Sequence, residues 1–228
     1  MKQADFLARI KSQRQKTCLP DAAVEHPGRF TEPVVEVSTA DLVERFSREL
    51  TALSGQVYQA DSRQNAIEQV LQILQQHRAD RLLAWDAADL NLPGLDAALQ
   101  NASINIEPDE IPADGSIRAE RLERLAGVTV GLTGAQGGLA DTGSLALSSG
   151  AGRGRLASLL PPVHIALLPR TRLYPTLADF LAAYGDSAVE GSNLVLITGP
   201  SRTADIEMTL SLGVHGPGEL HVIIFPEK

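Results

Sequence analysis

The decisive run is Asn193-Leu194-Val195-Leu196-Ile197-Thr198, followed by Gly199-Pro200-Ser201-Arg202-Thr203, Ala204-Asp205-Ile206-Glu207-Met208-Thr209-Leu210, and Gly213-Val214-His215-Gly216-Pro217-Gly218. An unbroken apolar run of this length suits a strand buried on both faces of a parallel sheet. Pro200 offers no ladder donor, Thr203 can N-cap a helix in which Ile206 and Leu210 share a face, and Gly213 stands where such a helix stops. The pattern predicts strand, tight loop, helix, turn. A loop that leaves the carboxyl end of a buried strand and opens a helix is the usual ligand position in an open α/β sheet. Here that loop is Gly199, Pro200, Ser201, Arg202 and Thr203. Free amides at a helix start, two hydroxyls and a guanidinium suit a carboxylate or a phosphate. The same residues also serve as a helix cap with a surface ion pair, and Asp205 and Glu207 would oppose an external anion.

Outward from this stretch, strand and helix patterns alternate. Ser38 and Asp41 have capping-box spacing ahead of Leu42, Phe46, Leu50 and Leu53. A strand around Gln56 to Gln59, a helix from about Ser62 to Gln76, and strands at Arg81 to Trp85 and Ser103 to Ile106 follow. Beyond them come a helix over Ser116 to Ala126, strands at Val128 to Leu132, Leu145 to Leu147 and Val163 to Leu168, a helix started by Thr176 and Asp179, and a last strand at Leu220 to Phe225. The alternation predicts an α/β fold: a mostly parallel open sheet with helices on both faces. Asp86, Asp89 and Asn91 follow a strand end and suit either a cleft lining or an ordinary turn, the turn being preferred. Residues 1–37 read as a basic helix followed by a Pro-containing linker, and residues 38–228 as the domain.

The 228 residues are 43% hydrophobic and 21% charged with a net charge of -8, which suits a soluble α/β domain and disfavours a nucleic-acid surface. No apolar run reaches the ~20 residues of a membrane span, and the start lacks a secretory core, so a cytoplasmic location is expected. Cys18 is the only cysteine, which excludes an iron-sulfur cluster bound by this chain alone. The lysines are Lys2, Lys11, Lys16 and Lys228, so none lies in the body of the fold, and a Walker loop and a buried Schiff-base lysine are both absent. No HExxH or paired-cysteine motif occurs and the five histidines are scattered, so neither metal nor cofactor is expected.

A second cluster spans Gly131 to Gly154. Its glycines let backbone amides approach a ligand, and Arg153 and Arg155 can close over an anion; a flexible surface loop fits Gly150 to Gly154 equally. Asp141, followed by Thr142, Gly143 and Ser144, suits a base, a ligand-orienting group or an Asx-turn. His164 and His221 lie inside strands and read as structural. His215, between glycines, suits either contact with a bound anion or proton donation, or a turn.

Gly199 to Glu207 (GPSRTADIE), Gly213 to Pro217 (GVHGP) and Leu139 to Gly143 (LADTG) resemble the signature segments of the LUD domain, with the match closest to the lactate-utilisation protein C family. The resemblance runs in order from about Val128 to Phe225, and more weakly back to about Asp41. It implies a sheet like that of sugar isomerases and CoA transferases. It also implies a place in a bacterial system oxidising L-lactate to pyruvate beside an iron-sulfur subunit and a cysteine-rich subunit, and it makes Asp141 the first choice among the carboxylates. Two readings follow. In one the chain is a subunit that binds a small carboxylate or phosphate or supports the redox partners, with Arg202 as the anion contact. In the other it is a stand-alone enzyme on a phosphorylated or acyl-CoA substrate, with Asp141 or Glu207 as base and Arg202 as clamp.

Overall fold

The computed structural model describes residues 38–107, 111, 114–185, 191, 193–204, 210–213 and 215–227. The N-terminal arm and linker with Cys18, and the candidate base Glu207, lie outside the described residues.

Helix α1 (Thr39–Ala52) starts as its capping spacing predicts: the Asp41 amide donates to Ser38 Oγ at 3.2 Å, and Ser38 Oγ donates to the Asp41 carboxylate at 2.7 Å. Leu42, Phe46 and Leu50 share its buried face. Strand β1 (Gln56–Gln59), helix α2 (Arg63–Gln76), β2 (Arg81–Ala84), the short helices α3 (Ala87–Leu90) and α4 (Leu95–Asn101), β3 (Asn105–Glu107), α5 (Gly115–Ala126) and β4 (Val130–Gly134) follow. Next come β5 (Gly137–Leu139), β6 (Ser144–Ser149), α6 (Leu156–Leu159), β7 (Val163–Pro169), β8 (Leu173–Tyr174) and α7 (Leu177–Tyr184). The chain ends with β9 (Asn193–Ile197), β10 (Arg202–Ala204), β11 (Leu210–Leu212) and β12 (Glu219–Phe225).

Six strands form one sheet in the order β1-β12-β7-β4-β2-β3, with every neighbouring pair parallel. Every residue of β4 and β7 is buried, as central strands covered on both faces require. This is the expected α/β architecture, a parallel sheet flanked by helices.

The decisive stretch itself departs from its reading. Strand β9 is absent from the parallel sheet; it pairs antiparallel with β6 at the edge of a second sheet, ordered β8-β5-β6-β9. Its residues are half-buried or exposed, with Leu196 at 41%. An apolar run reports only that some face is covered, and here the covered face belongs to a small sheet. The expected helix from Thr203 is also corrected. Arg202–Ala204 is extended and pairs antiparallel with Leu210–Leu212, Thr203 opposite Ser211. The helical reading rested on one i, i+4 apolar pair, Ile206 and Leu210, which cannot outweigh ladder hydrogen bonds formed by both ends of the segment. Gly213 closes this hairpin at φ 74°.

The second sheet grows out of the first. Past Gly134, two residues carry the chain from β4 into β5, and past Pro169 a 3-10 turn at Arg170–Arg172 carries it from β7 into β8. β5 and β8 then pair parallel to each other.

Candidate functional site

In the parallel sheet the connection from β2 runs outward to β3, whereas the chain from β4 proceeds the other way to β7 and β12. The crevice between the carboxyl ends of β2 and β4 is therefore the topological switch point, where open α/β sheets place their ligands. A cavity of about 380 Å³ lies there, walled by Asp89 and Asn91 after β2, Gln136 after β4, Arg172 after β7, Arg153, and the tyrosines Tyr174 and Tyr184. This volume suits a small ligand.

Its polar wall is a connected network. Asn91, in the left-handed region at φ 56°, donates from Nδ2 to the Asp89 carbonyl at 2.8 Å and accepts from Arg172 at 3.0 Å. Arg172 also donates to the Ala135 carbonyl at 3.1 Å. Both partners are neutral, and Arg172 takes part in none of the ion pairs among the described residues. Arg153 instead pairs with Asp89 at 3.1 Å. Gln136 Oε1 accepts from the Ser148 amide at 2.7 Å, which leaves its NH2 group as a donor. Phe180 positions the tyrosines, meeting Tyr174 edge-on at 5.4 Å and stacking on Tyr184 at 4.9 Å between ring centres. A guanidinium without a carboxylate partner among the described residues, beside amide and phenol side chains, is chemistry suited to an anion.

Two contacts tie the glycine-rich segment to the end of β2 beside this network. The glycine-rich segment is not a loose loop: the Asp86 amide donates to the Gly152 carbonyl and the Trp85 indole to the Gly154 carbonyl, both at 2.9 Å. A Cβ on Gly134 would meet the Asp89 carbonyl oxygen, so glycine is required where β4 passes the α3 turn.

The residues singled out in the sequence fall elsewhere. Ser144 Oγ lies 2.8 Å from both Thr142 Oγ1 and Thr198 Oγ1, which joins the Asp141–Ser144 turn to the end of β9. Gly143, at φ 65°, packs its Cα against the Leu50 backbone of α1. The Asp141 amide donates to the Pro175 carbonyl at 3.1 Å, while its Oδ1 is buried and unpartnered among the described residues. Arg202 donates to the Leu53 carbonyl at 2.5 Å and to Ser54 Oγ at 2.8 Å, so its charge meets the carboxyl end of α1. The Ser201 amide is taken by the Pro217 carbonyl at 2.8 Å. Gly199, at φ 128°, Ser201 and the exposed His215 border a separate cavity of about 210 Å³ that also reaches His164. Pro200 continues that loop, and Thr203 is in β10. Burial pushes the His164 imidazole down to about 3, with a smaller push from His221, so this histidine is neutral, as a structural core residue should be.

Asp89, Asn91 and Arg153 had a functional reading in the sequence, but an ordinary turn was preferred for the first two and a surface loop suited the segment of the third equally. Arg172, Gln136 and the two tyrosines were missed. The signal that finds Arg172 is Arg170-Thr171-Arg172 directly after the long strand Val163–Pro169: the rule that ligands lie at the carboxyl ends of parallel strands, applied to β7 and not to β9.

Comparison with known proteins agrees with this architecture. Residues 43–225 match the LUD domain. The chain belongs to the LUD domain family. A relative, Lactate utilization protein C of Halalkalibacterium halodurans, is 31% identical over 217 residues, which cover 91% of this chain and 90% of that one. Lactate utilization protein C of Macrococcus caseolyticus is 30% identical over 168 residues, 72% of this chain and 69% of its own. The crystal structure of a DUF162 family protein from Deinococcus radiodurans superposes with a TM-score of 0.58 at 22% identity, covering 83% of this chain and 99% of that one, which supports the fold. Among the described residues of this LUD chain no helix is long and apolar enough to cross a membrane.

Proposed function

We propose that this LUD protein is a component of an L-lactate utilisation system. It binds a small carboxylate, lactate or pyruvate, in the cavity at the β2/β4 crevice, while iron-sulfur and cysteine-rich partner subunits carry the electrons. The lactate role is supported by relatives named Lactate utilization protein C that align over most of the chain. The site is supported by one observation above all: Arg172 sits in the switch-point cavity bonded, among the described residues, only to the neutral oxygens of Ala135 and Asn91. A carboxylate completes it, the Gln136 amide and the tyrosine hydroxyls can take the remaining lone pairs, and Asp89 suits a substrate hydroxyl. In this reading the Asp141–Ser144 turn and the Gly199–Thr203 loop brace the second sheet against α1, and the single Cys18 leaves redox chemistry to the partners.

Calorimetric titration of the pure chain with L-lactate and with pyruvate tests this. Saturable one-to-one binding is expected, weakened on the order of 10- to 100-fold in Arg172→Gln by loss of a charge-assisted contact of about 1.5–3 kcal/mol. Absence of binding, or equal affinity in the variant, overturns the assignment of this cavity.

A further inference from the structure

At the other end of the parallel sheet, where β1 and β12 begin, three side chains converge. His77 is the C-cap of α2, and Glu219 and His221 stand two apart on one face of β12. Nε2 of each imidazole lies 3.5 Å from the same Glu219 Oε2, and the three ligand-type atoms all lie within 4.8 Å of one another. The hydrogen bonds behind them fix which nitrogen is bare. Tyr58 Oη is 3.1 Å from Gln56 Oε1, an acceptor only, and 3.1 Å from His221 Nδ1. With the Gln56 amide oriented so that Oε1 accepts the phenolic proton, Tyr58 accepts from Nδ1–H, which assigns the lone pair of His221 to Nε2. That nitrogen is buried, has no hydrogen-bond partner among the described residues, and faces a carboxylate. In that tautomer the Nε2 lone pair and the carboxylate face each other, an arrangement that a metal cation or a shared proton between them relieves.

We propose that His77, Glu219 and His221 bind a divalent transition-metal ion of the zinc class, a site that no motif in the sequence marks because its ligands are 142 and 2 residues apart. Bonds of about 2.0–2.1 Å in a tetrahedral set place ligand atoms about 3.3–3.4 Å apart, which the two nitrogen-oxygen separations already approach. Two imidazoles and one carboxylate suit zinc, and Tyr58 behind His221 is the outer-shell partner that orients a metal-bound histidine. The carboxyl end of α2 directs its negative pole at the ion. Glu219, half exposed, leaves the fourth position open to water. The competing occupant is a proton that Glu219 shares with His77 or with His221.

The test is titration of the full chain, stripped with a chelator, with Zn2+ against a chromophoric competitor, repeated with Co2+ for its visible spectrum. One ion per chain is expected, with a four-coordinate Co2+ absorption. Affinity should fall on the order of tenfold in Tyr58→Phe and further in His77→Gln and Glu219→Gln, both at partly exposed positions. A chain that binds no stoichiometric ion carries only the proton, and one whose affinity is unchanged in both ligand variants binds its ion elsewhere; either result overturns the proposal.

Discussion

Lowering the pH from 7.5 to 5.0 in the presence of a chelator should destabilise this protein through His164. This residue is 1% exposed in the middle of β7, bonded through Nε2 to Thr133 Oγ1 at 2.9 Å, with Nδ1 unpartnered among the described residues. Burial holds its pKa at about 3, against 6.5 in the unfolded chain. The folded value is the lower one, so between these limits the unfolded state binds the extra proton. The contribution is complete above pH ~6.5, declines as pH falls, and levels off near the folded pKa. At pH 5.0 the unfolded group has gained about 1.5 units, and at about 1.4 kcal/mol per unit this removes roughly 2 kcal/mol. His164→Gln keeps an amide for Thr133 and cannot titrate. Urea unfolding at both pH values, for both proteins, isolates the effect, because groups that do not interact with His164 cancel in the difference and its coupling to His221 is the smaller cause. The wild type should lose roughly 2 kcal/mol more than the variant between the two conditions. Equal losses would falsify the assignment of His164 as the acid-sensitive group.

Two further outcomes follow from packing. Gly134→Ala places a methyl group against the Asp89 carbonyl and should cost about 1–3 kcal/mol in urea unfolding, while weakening L-lactate binding because the β2 loop must shift; an unchanged midpoint refutes the close approach. Glu107, 8% exposed, accepts from Arg121 at 2.7 Å and lies within 3.3 Å of Arg124; its carboxyl pKa is lowered chiefly by the Arg121 bond. Its contribution is present above the ordinary carboxylate range and lost as pH falls through it, so Glu107→Gln should cost about 3 kcal/mol at pH 7 and much less in acid, read by urea unfolding.

Local signals in the sequence carried over well where chemistry is local. Ser38, Ser62 and Thr176 each accept from an amide three residues on and start a helix, as expected of short polar residues ahead of apolar periodicity. The buried runs of β7 and β12 read correctly because strands covered on both faces leave no alternation to misjudge. The second sheet was illegible for the opposite reason. β5 and β8 have three and two residues, and their pairing joins positions far apart in sequence, with Gly138 opposite Leu173. No period can be read from so few residues. The site suffered from the same gap: its polar groups come from the ends of four different strands, and only the sheet order brings Asn91 to Arg172. Asp141 drew attention because its neighbours form a compact motif, yet those neighbours serve a turn seated on α1.

The passage of β4 and β7 directly into β5 and β8 has a consequence for recognition. With only Ala135 and Gln136 on one side and a single 3-10 turn on the other, the two walls that carry Gln136 and Arg172 are short connections tied to a strand at both ends. Arg172, Asn91 and Gln136 are thus fixed before any ligand arrives, and little rotational entropy is left for binding to remove. Under the proposed function such a pre-set wall gains affinity through fit and not through closure, so selectivity among small anions should follow size and the placement of a single hydroxyl.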